Sequence, residues 1–538
     1  MTADRHPALV VRGLAVSYGA ERVVTDVSFA LQPGEVVALV GESGSGKSTT
    51  ANAVLGLLPA DARVRAGEIR LGGDDVRGWD ERRMRAIRGT RLAYVPQDPA
   101  ASLDPVRRVR QQIAEVLTVH GIGTRADRPA RVAAALRAAG IADPDAIGAR
   151  FPHELSGGLQ QRVLIAQALV GEPDVIVADE PTSALDVTVQ KEVLDNLARA
   201  TAERNVAMLL ITHDLAVAVE RADRVLVLRG GVIVEEGPAL RVLREPEDPY
   251  TRTLVAATPA AIAVSLRERE REREREGGES PAAPVLSAAG LSKRFRMRGA
   301  SGAVHAVDDV SLALAPRRTL ALVGESGSGK TTTARIVSRL ERADSGVITL
   351  DGQDITGLGG KALRELRRRI QYVHQSPRSA LDPRYTVAEA IGEPLRAFGV
   401  PDRAGRVREL LDRVALPAAL ADRSTARLSG GQAQRVSIAR ALALSPSVLV
   451  LDEAVSALDV SVQARILDLL AQLQRDLGLA YLFVSHDLSV VAQIADEVAV
   501  MQGGRIVESG TALQVFEHPR HDYTVRLLDA VPGFSPVA

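Results

Sequence analysis

The sequence predicts an α/β protein in which one domain is written twice, each copy carrying a mainly parallel β-sheet. Three observations lead there. Motif residues of the first half recur in the second at one interval: Ser156 and Ser429, Asp179 and Asp452, Asp186 and Asp459, His213 and His486 are each 273 residues apart. Short apolar runs such as Val36-Val37-Ala38-Leu39-Val40 and Leu320-Ala321-Leu322-Val323 stop abruptly at Gly-rich turns, as buried parallel strands do. Such runs alternate with stretches of helical periodicity, the pattern of β-α units. The interval is 283 from Gly41 to Gly324 and 278 from Gln97 to Gln375, so the first half carries small insertions. This is tandem duplication of a whole domain rather than a short-period solenoid.

Composition sets outer bounds. A chain of 538 residues has length for more than one domain, and 46% hydrophobic with 25% charged residues is ordinary for globular proteins. Basic and acidic residues balance at 67 each, which gives no global attraction to nucleic acid or to an anionic membrane. No nucleic-acid partner is expected. There are no cysteines, which excludes disulfides, thiolate zinc sites and cysteine-held iron–sulfur clusters. The first residues lack the basic-then-apolar build of a signal peptide, and no run approaches the roughly 18 apolar residues of a membrane span. A soluble, at most peripheral, protein is expected.

The expected domains are residues 1–258 and 285–538, joined by a linker at 259–284. The linker's centre alternates Arg and Glu over 267–276 and then passes into Gly277-Gly278-Glu279-Ser280-Pro281. It offers no apolar residue to bury there, and on a helix its opposite charges at i,i+3 are offset by like charges at i,i+4. The reading is a solvated tether of about 25–30 Å mean span, with a partner-binding element as the alternative.

Within each half a β-rich start (9–31; 285–314) leads into GESGSGKST at 41–49 or GESGSGKTT at 324–332. Both fit G-x-x-x-x-G-K-[ST] directly after an apolar run. A strand feeding a Gly-rich turn that opens a helix turns backbone N–H groups inward and adds a field favourable to anions. The candidate phosphate ligands are Gly41, Ser43, Gly44, Ser45, Gly46, Lys47, Ser48 and Thr49, and Gly324, Ser326, Gly327, Ser328, Gly329, Lys330, Thr331 and Thr332. The lysines can reach terminal phosphates, and the hydroxyls of Ser48 and Thr331 can ligate Mg²⁺. Only five lysines occur in the chain, and two of them stand in these loops. A compact ammonium fits there where a planar guanidinium does not.

Farther on, Val175-Ile176-Val177-Ala178 ends in Asp179-Glu180, and Val448-Leu449-Val450-Leu451 ends in Asp452-Glu453. Ligands of parallel sheets bind beyond the carboxyl ends of the strands. Asp179 and Asp452 are placed to hold Mg²⁺, and Glu180 and Glu453 to accept a proton from attacking water. Between loop and acids lie amphipathic helical stretches (about 105–150 and 385–425). They end in Leu155-Ser156-Gly157-Gly158-Leu159-Gln160-Gln161-Arg162 and Leu428-Ser429-Gly430-Gly431-Gln432-Ala433-Gln434-Arg435. A Ser-Gly-Gly step at a helix start is a cap, and also a second anion site.

These octapeptides, lying between a phosphate loop and an acid-terminated strand, closely resemble the signature sequence of ATP-binding cassette (ABC) ATPases. The likeness runs over nearly the whole chain, twice. It implies two P-loop NTPase domains, each with an antiparallel β subdomain and a helical subdomain, that bind ATP and Mg²⁺. It makes Gln97 and Gln375 the glutamine loops that touch Mg²⁺ and attacking water and face a permease. It makes Ser183-Ala184-Leu185-Asp186 and Ser456-Ala457-Leu458-Asp459 D-loops, and His213 and His486 the switch histidines that contact the γ-phosphate. Tyr18 is similar to the aromatic residue that stacks on adenine, with Phe295 its counterpart. The resemblance also implies head-to-tail pairing of the halves, the first loop facing Ser429-Gly430-Gly431 and the second facing Ser156-Gly157-Gly158. Both halves keep lysine, aspartate, glutamate and histidine, so two hydrolytically competent sites are expected. Leu159, Ala433 and Ala454-Val455 depart from the pattern and put equal turnover in question.

Three further features narrow the class: Ser102-Leu103-Asp104-Pro105 and Ser379-Ala380-Leu381-Asp382-Pro383; Val187-Thr188-Val189-Gln190 and Val460-Ser461-Val462-Gln463; and the tails around Pro249-Tyr250-Thr251 and Asp522-Tyr523-Thr524. Together they resemble ATPase subunits of oligopeptide/dipeptide importers, two of them fused. That implies separate partners, namely two membrane-spanning permease subunits and an extracytoplasmic substrate-binding protein. It also implies a cytoplasmic place on the inner face of the cell membrane. The alternative is a twin-cassette translation factor acting on ribosomes. Its linker is generally a longer basic arm, unlike this short, charge-neutral one.

Overall fold

The computed structural model describes residues 6–182, 185–256, 258, 266, 283–296, 303–456, 458 and 460–533. The chain divides into two units, Met1–Thr258 and Pro259–Ala538. The Arg/Glu tract of the expected linker lies outside the described residues, as do Ser183, Ala184, Ala457 and Asp459 of the expected D-loops.

In the first unit, β1 (Leu9–Tyr18), β2 (Glu21–Leu31), β4 (Ala62–Leu71) and β5 (Asp74–Asp75) form an antiparallel sheet of order β2-β1-β4-β5. A second sheet contains β3 (Val36–Val40), β6 (Leu92–Val95), β7 (Val175–Asp179), β8 (Ala207–Thr212), β9 (Arg224–Arg229) and β10 (Val232–Pro238), in the order β10-β9-β3-β8-β7-β6. All its pairings are parallel except β9 with β10. The apolar runs are continuous because both faces of this sheet are covered. Val175 and Val177 point into one core with Leu209 and Ile211, while Ile176 and Ala178 point into another with Met208 and Leu210.

The second unit repeats this. β11 (Leu286–Arg296), β12 (Ala303–Leu314), β14 (Ser345–Leu350) and β15 (Gln353–Asp354) form the antiparallel sheet. The mainly parallel sheet runs β16 (Ile370–Val373), β17 (Val448–Asp452), β18 (Ala480–Val484), β13 (Thr319–Val323), β19 (Glu497–Gln502), β20 (Arg505–Thr511) in spatial order. The helical stretches are Val109–Val119 and Arg128–Ala138 in one unit and Val387–Ala397 and Arg403–Arg413 in the other. Helices Glu81–Ile87 and Gly360–Arg369, just before the edge strands β6 and β16, were not anticipated from the sequence.

The upstream insertion has a clear place. β4 runs ten residues against six for β14, and its added start pairs with the end of β1, Val16 opposite Val64 and Tyr18 opposite Ala62. In the second unit the equivalent pairing stops at Ser292 and Ser345.

Each central strand is pinned at its start by an aspartate. Asp223 accepts from the Val36 N–H at 2.9 Å, and Asp496 accepts from the N–H of Thr319, a fully buried residue. A buried N–H left unpaired costs about 1–3 kcal/mol. Asp496→Ala should therefore lower the stability of the second unit by about that amount in urea denaturation. Asp496→Asn, which keeps an acceptor oxygen, should recover much of it.

Candidate functional site

Each phosphate loop is built at the carboxyl end of a central strand. The helices it opens, Lys47–Leu55 and Lys330–Val337, start after Gly46 (φ 105°) and Gly329 (φ 104°), conformations that a side chain would strain. A glycine cap has no side chain to take the first-turn amides, so they remain open to an anion. Lys47 and Lys330 are buried. The Lys47 ammonium donates to the carbonyls of Gly41 (2.6 Å) and Glu42 (2.8 Å), and that of Lys330 to Gly324 (2.7 Å) and Glu325 (2.8 Å). The Ser45 hydroxyl is buried inside the first loop with no hydrogen-bond partner among the described residues.

The acid-terminated strands bring their carboxylates to these loops. Ser48 Oγ lies 3.4 Å from Asp179 Oδ1, and Thr331 Oγ1 lies 3.1 Å from Asp452 Oδ1. These paired hard oxygen donors suit Mg²⁺, which takes few protein ligands and completes its octahedron with phosphate and water. Burial raises the Asp179 pKa, assisted by the neighbouring Glu180 charge and opposed by the Ser48 hydrogen bond.

Glu180 and Glu453 are the centre of the arrangement. Gln97 Nε2 donates to Glu180 Oε2 at 2.8 Å, while His213 Nδ1 is 3.1 Å from Glu180 Oε1. In the second unit Gln375 lies 2.6 Å from Glu453 Oε2 and His486 3.1 Å from Glu453 Oε1. Both glutamates have left-handed backbones, φ 43° and 48°, unusual for a residue with a side chain. Strain of this kind costs about 1–3 kcal/mol and gathers at working sites. Their N–H groups donate to the carbonyls of Ile211 and Val484, near the ends of the neighbouring strands β8 and β18, at 2.9 Å.

The electrostatics follow from this geometry. Burial pulls the His213 pKa down, but the hydrogen bond and charge of Glu180 outweigh it, and the net shift is upward. For His486 the Glu453 hydrogen bond dominates in the same direction, against burial. Burial raises the Glu180 pKa, yet His213 and Lys47 together bring it below the usual glutamate value; for Glu453 the His486 hydrogen bond leads the lowering.

The Ser-Gly-Gly segments start separate helices, Gly157–Leu169 and Gly430–Leu442. They are not part of the clusters just described. Ser429 and Gln432 form a reciprocal capping box, whereas Leu159 at the matching third position offers no such group, and the Ser156 side chain makes no cap bond. The second glycines are dictated by packing. A Cβ on Gly158 would lie 2.4 Å from Val189, and one on Gly431 2.6 Å from Val462.

Tyr18 and Phe295 each stand five residues after a left-handed glycine, Gly13 and Gly290, at the ends of β1 and β11. The Tyr18 hydroxyl lies 3.5 Å from Thr49 Oγ1. Phe295 is 43% exposed, with the Lys293 ammonium 5.5 Å from its ring centre.

Sequence reasoning missed the contacts that two tyrosine pairs make with the site. Tyr94 and Tyr372, on the edge strands before the glutamines, hydrogen-bond Asp179 and Asp452. Burial, with the aspartate's charge and hydrogen bond, pushes the Tyr94 pKa up to about 12, so its hydroxyl stays protonated and can donate. Tyr250 and Tyr523, in the tails, accept from the N–H groups of Glu42 (2.8 Å) and Glu325 (3.0 Å). Recurrence of each tyrosine in both halves was the available signal.

The ABC transporter family profile matches residues 24–183 and 307–456, and that of the oligopeptide/dipeptide transporter C-terminal region matches 234–298 and 507–538. The chain belongs to the ABC transporter family. The glutathione import ATP-binding proteins GsiA of Salmonella paratyphi A and Escherichia coli (strain K12) are each 43% identical to it, over 99% of this chain and 91% of theirs. A solved ATP-binding cassette, MJ0796, a dimer bound to ADP and Pi, is 28% identical, with a TM-score of 0.39 over 42% of this chain and 98% of that one. This ABC protein is an importer ATPase, binding and hydrolysing nucleotide to drive transport, and not a ribosome-acting factor. Among the described residues no helix is long and apolar enough to cross a membrane.

A raised histidine pKa stabilises the fold fully below about 6.5, and that contribution fades as pH rises through the folded value. The lowered glutamate contributes above about 4.3 and fades as pH falls through its folded value. The pairs are thus doubly charged from mild acid to above the usual histidine pKa. Proton NMR titration of His213 and His486 should give midpoints above 6.5. Glu180→Gln and Glu453→Gln should lower them; midpoints that do not move would contradict the pairing.

Proposed function

We propose that each loop grips the phosphates of ATP, with Ser48 and Asp179, or Thr331 and Asp452, holding Mg²⁺ there. The observation that carries this is the same constellation built twice: a buried loop lysine, an aspartate beside a loop hydroxyl, and a glutamate held by a glutamine and a histidine. Mg²⁺, when bound, offsets phosphate charge and orients the terminal phosphate. Lys47 and Lys330 balance the remaining charge from inside the loops. Glu180 and Glu453 accept the proton of the attacking water, and His213 and His486 hold the carboxylates in place from the next strand. Gln97 and Gln375 follow edge strands and reach the same carboxylates, so their positions report whether the site is filled. Tyr18 and Phe295 supply faces for the adenine ring.

In this reading the two units close head to tail, Ser156-Gly157-Gly158 and Ser429-Gly430-Gly431 each completing the other unit's site. Both sites hydrolyse, since each keeps every charged member of the set. The partners are two membrane permease subunits and an extracytoplasmic binding protein, which puts the ATPase on the inner face of the membrane. A groove of about 290 Å³ lined by Tyr372, His374, Pro394, Phe398 and Arg440, just behind Gln375, offers a surface for a permease segment. The cargo is a small peptide. The names of the relatives favour glutathione, and the partner chains select it.

Glu180→Gln with Glu453→Gln should leave ATP binding near the wild-type level and cut turnover by at least about a hundredfold. Equilibrium binding and phosphate release on the full chain would test this. Turnover close to wild type in that double variant would overturn the assignment.

A further inference from the structure

The Pro-Tyr-Thr tails mark the transporter class in the sequence, yet nothing in the proposed reaction uses them. In both units the tail is a built device. Glu235 of β10 accepts from the N–H groups of Glu247 (3.1 Å) and Asp248 (3.0 Å), fixing the turn before helix Pro249–Ala256. Glu508 of β20 does the same for Arg520 (2.8 Å) and His521 (3.0 Å) before helix Asp522–Asp529. The next link differs in chemistry but not in place. The Tyr250 N–H donates to Asp248 at 2.7 Å, and the Tyr523 N–H to the His521 ring at 3.1 Å. Two different side chains thus set two tyrosines in the same position, each ring buried.

What the rings reach is a single peptide unit of the phosphate loop. The Glu42 N–H donates to the Tyr250 hydroxyl, while the carbonyl on the other edge of that peptide, Gly41, accepts from Lys47. The Gly324–Glu325 peptide is held in the same way, by Tyr523 on its N–H and Lys330 on its carbonyl. A glycine on one side leaves a peptide plane freer to rotate than two neighbours with side chains would. Turned over, it would aim a carbonyl away from the lysine and leave an N–H without its acceptor.

We propose that Tyr250 and Tyr523 are positioning residues for nucleotide binding, their hydroxyls locking the first peptide of each phosphate loop so that the lysine is held ready for the phosphates. This rests on the reading of the loops as ATP sites. The tail would then contribute to ATP affinity and not to the chemical step.

The test uses the full chain with Tyr250→Phe, Tyr523→Phe and both together, measuring ATP affinity and steady-state ATPase rates. Removing only the oxygen leaves the ring packing intact. The expected result is a KM and Kd for ATP raised about fivefold to thirtyfold, the span of one to two kcal/mol, with kcat within about twofold of wild type. Should the double variant fail to fold, each single variant carries the test, with the other site as the internal reference. An unchanged KM and Kd, with only the melting temperature lowered, would reduce the tail to a structural element and overturn the proposal. So would a fall in kcat at constant KM. Wild-type protein that bound no ATP would instead overturn the reading of the loops, a distinguishable result.

Discussion

Each unit depends on one carboxylate shared by three segments of chain. Glu180 directly follows a buried strand, takes Gln97 on one oxygen and His213 on the other, and does so with a left-handed backbone; Glu453 repeats every part of this. The constraint comes from the sheet. Parallel strands deliver their carboxyl ends to one edge. A glutamate one residue beyond such a strand can face the loop only if the chain turns sharply there. The buried strand and the N–H bond to the neighbouring strand hold that turn, and the local strain is offset by packing elsewhere.

Each carboxylate oxygen accepts one of these bonds and keeps a second lone pair, since an ionised carboxylate can accept about four. The two partners differ in kind: the histidine is charge-paired with the glutamate, while Gln97 is neutral and exposed, and lies between the buried edge strand β6 and the short helix Pro99–Ser102. The bond to the neutral partner is the weaker of the two.

The loops, the acids and the Ser-Gly-Gly steps were legible in the sequence because their chemistry is local: a turn needs its glycines and a buried strand needs its apolar run. Duplication added to this, since a motif seen twice at one interval is hard to mistake. The contacts of the tyrosines were not legible. Tyr250 reaches a residue 208 positions away and Tyr372 one 80 away, and no short-range pattern announces such contacts. The helices before the edge strands were missed for a different reason. Gly360–Arg369 is dense in charge and buries only Leu366, so it lacks the run of apolar residues that marks a core helix.

The two sites share their chemistry but differ at their margins. The insertion that lengthens β4 carries a strand along β1 as far as Tyr18, and the Tyr18 hydroxyl reaches the loop at Thr49. Phe295 has neither the strand nor a hydroxyl. Its ring stands more exposed, with a lysine ammonium over it. The Tyr18 ring is thus held by the added strand pairing and by its hydroxyl, and the Phe295 ring by neither. The helix starts differ in the opposite sense, since Ser429 is held by a capping box and Ser156 is not.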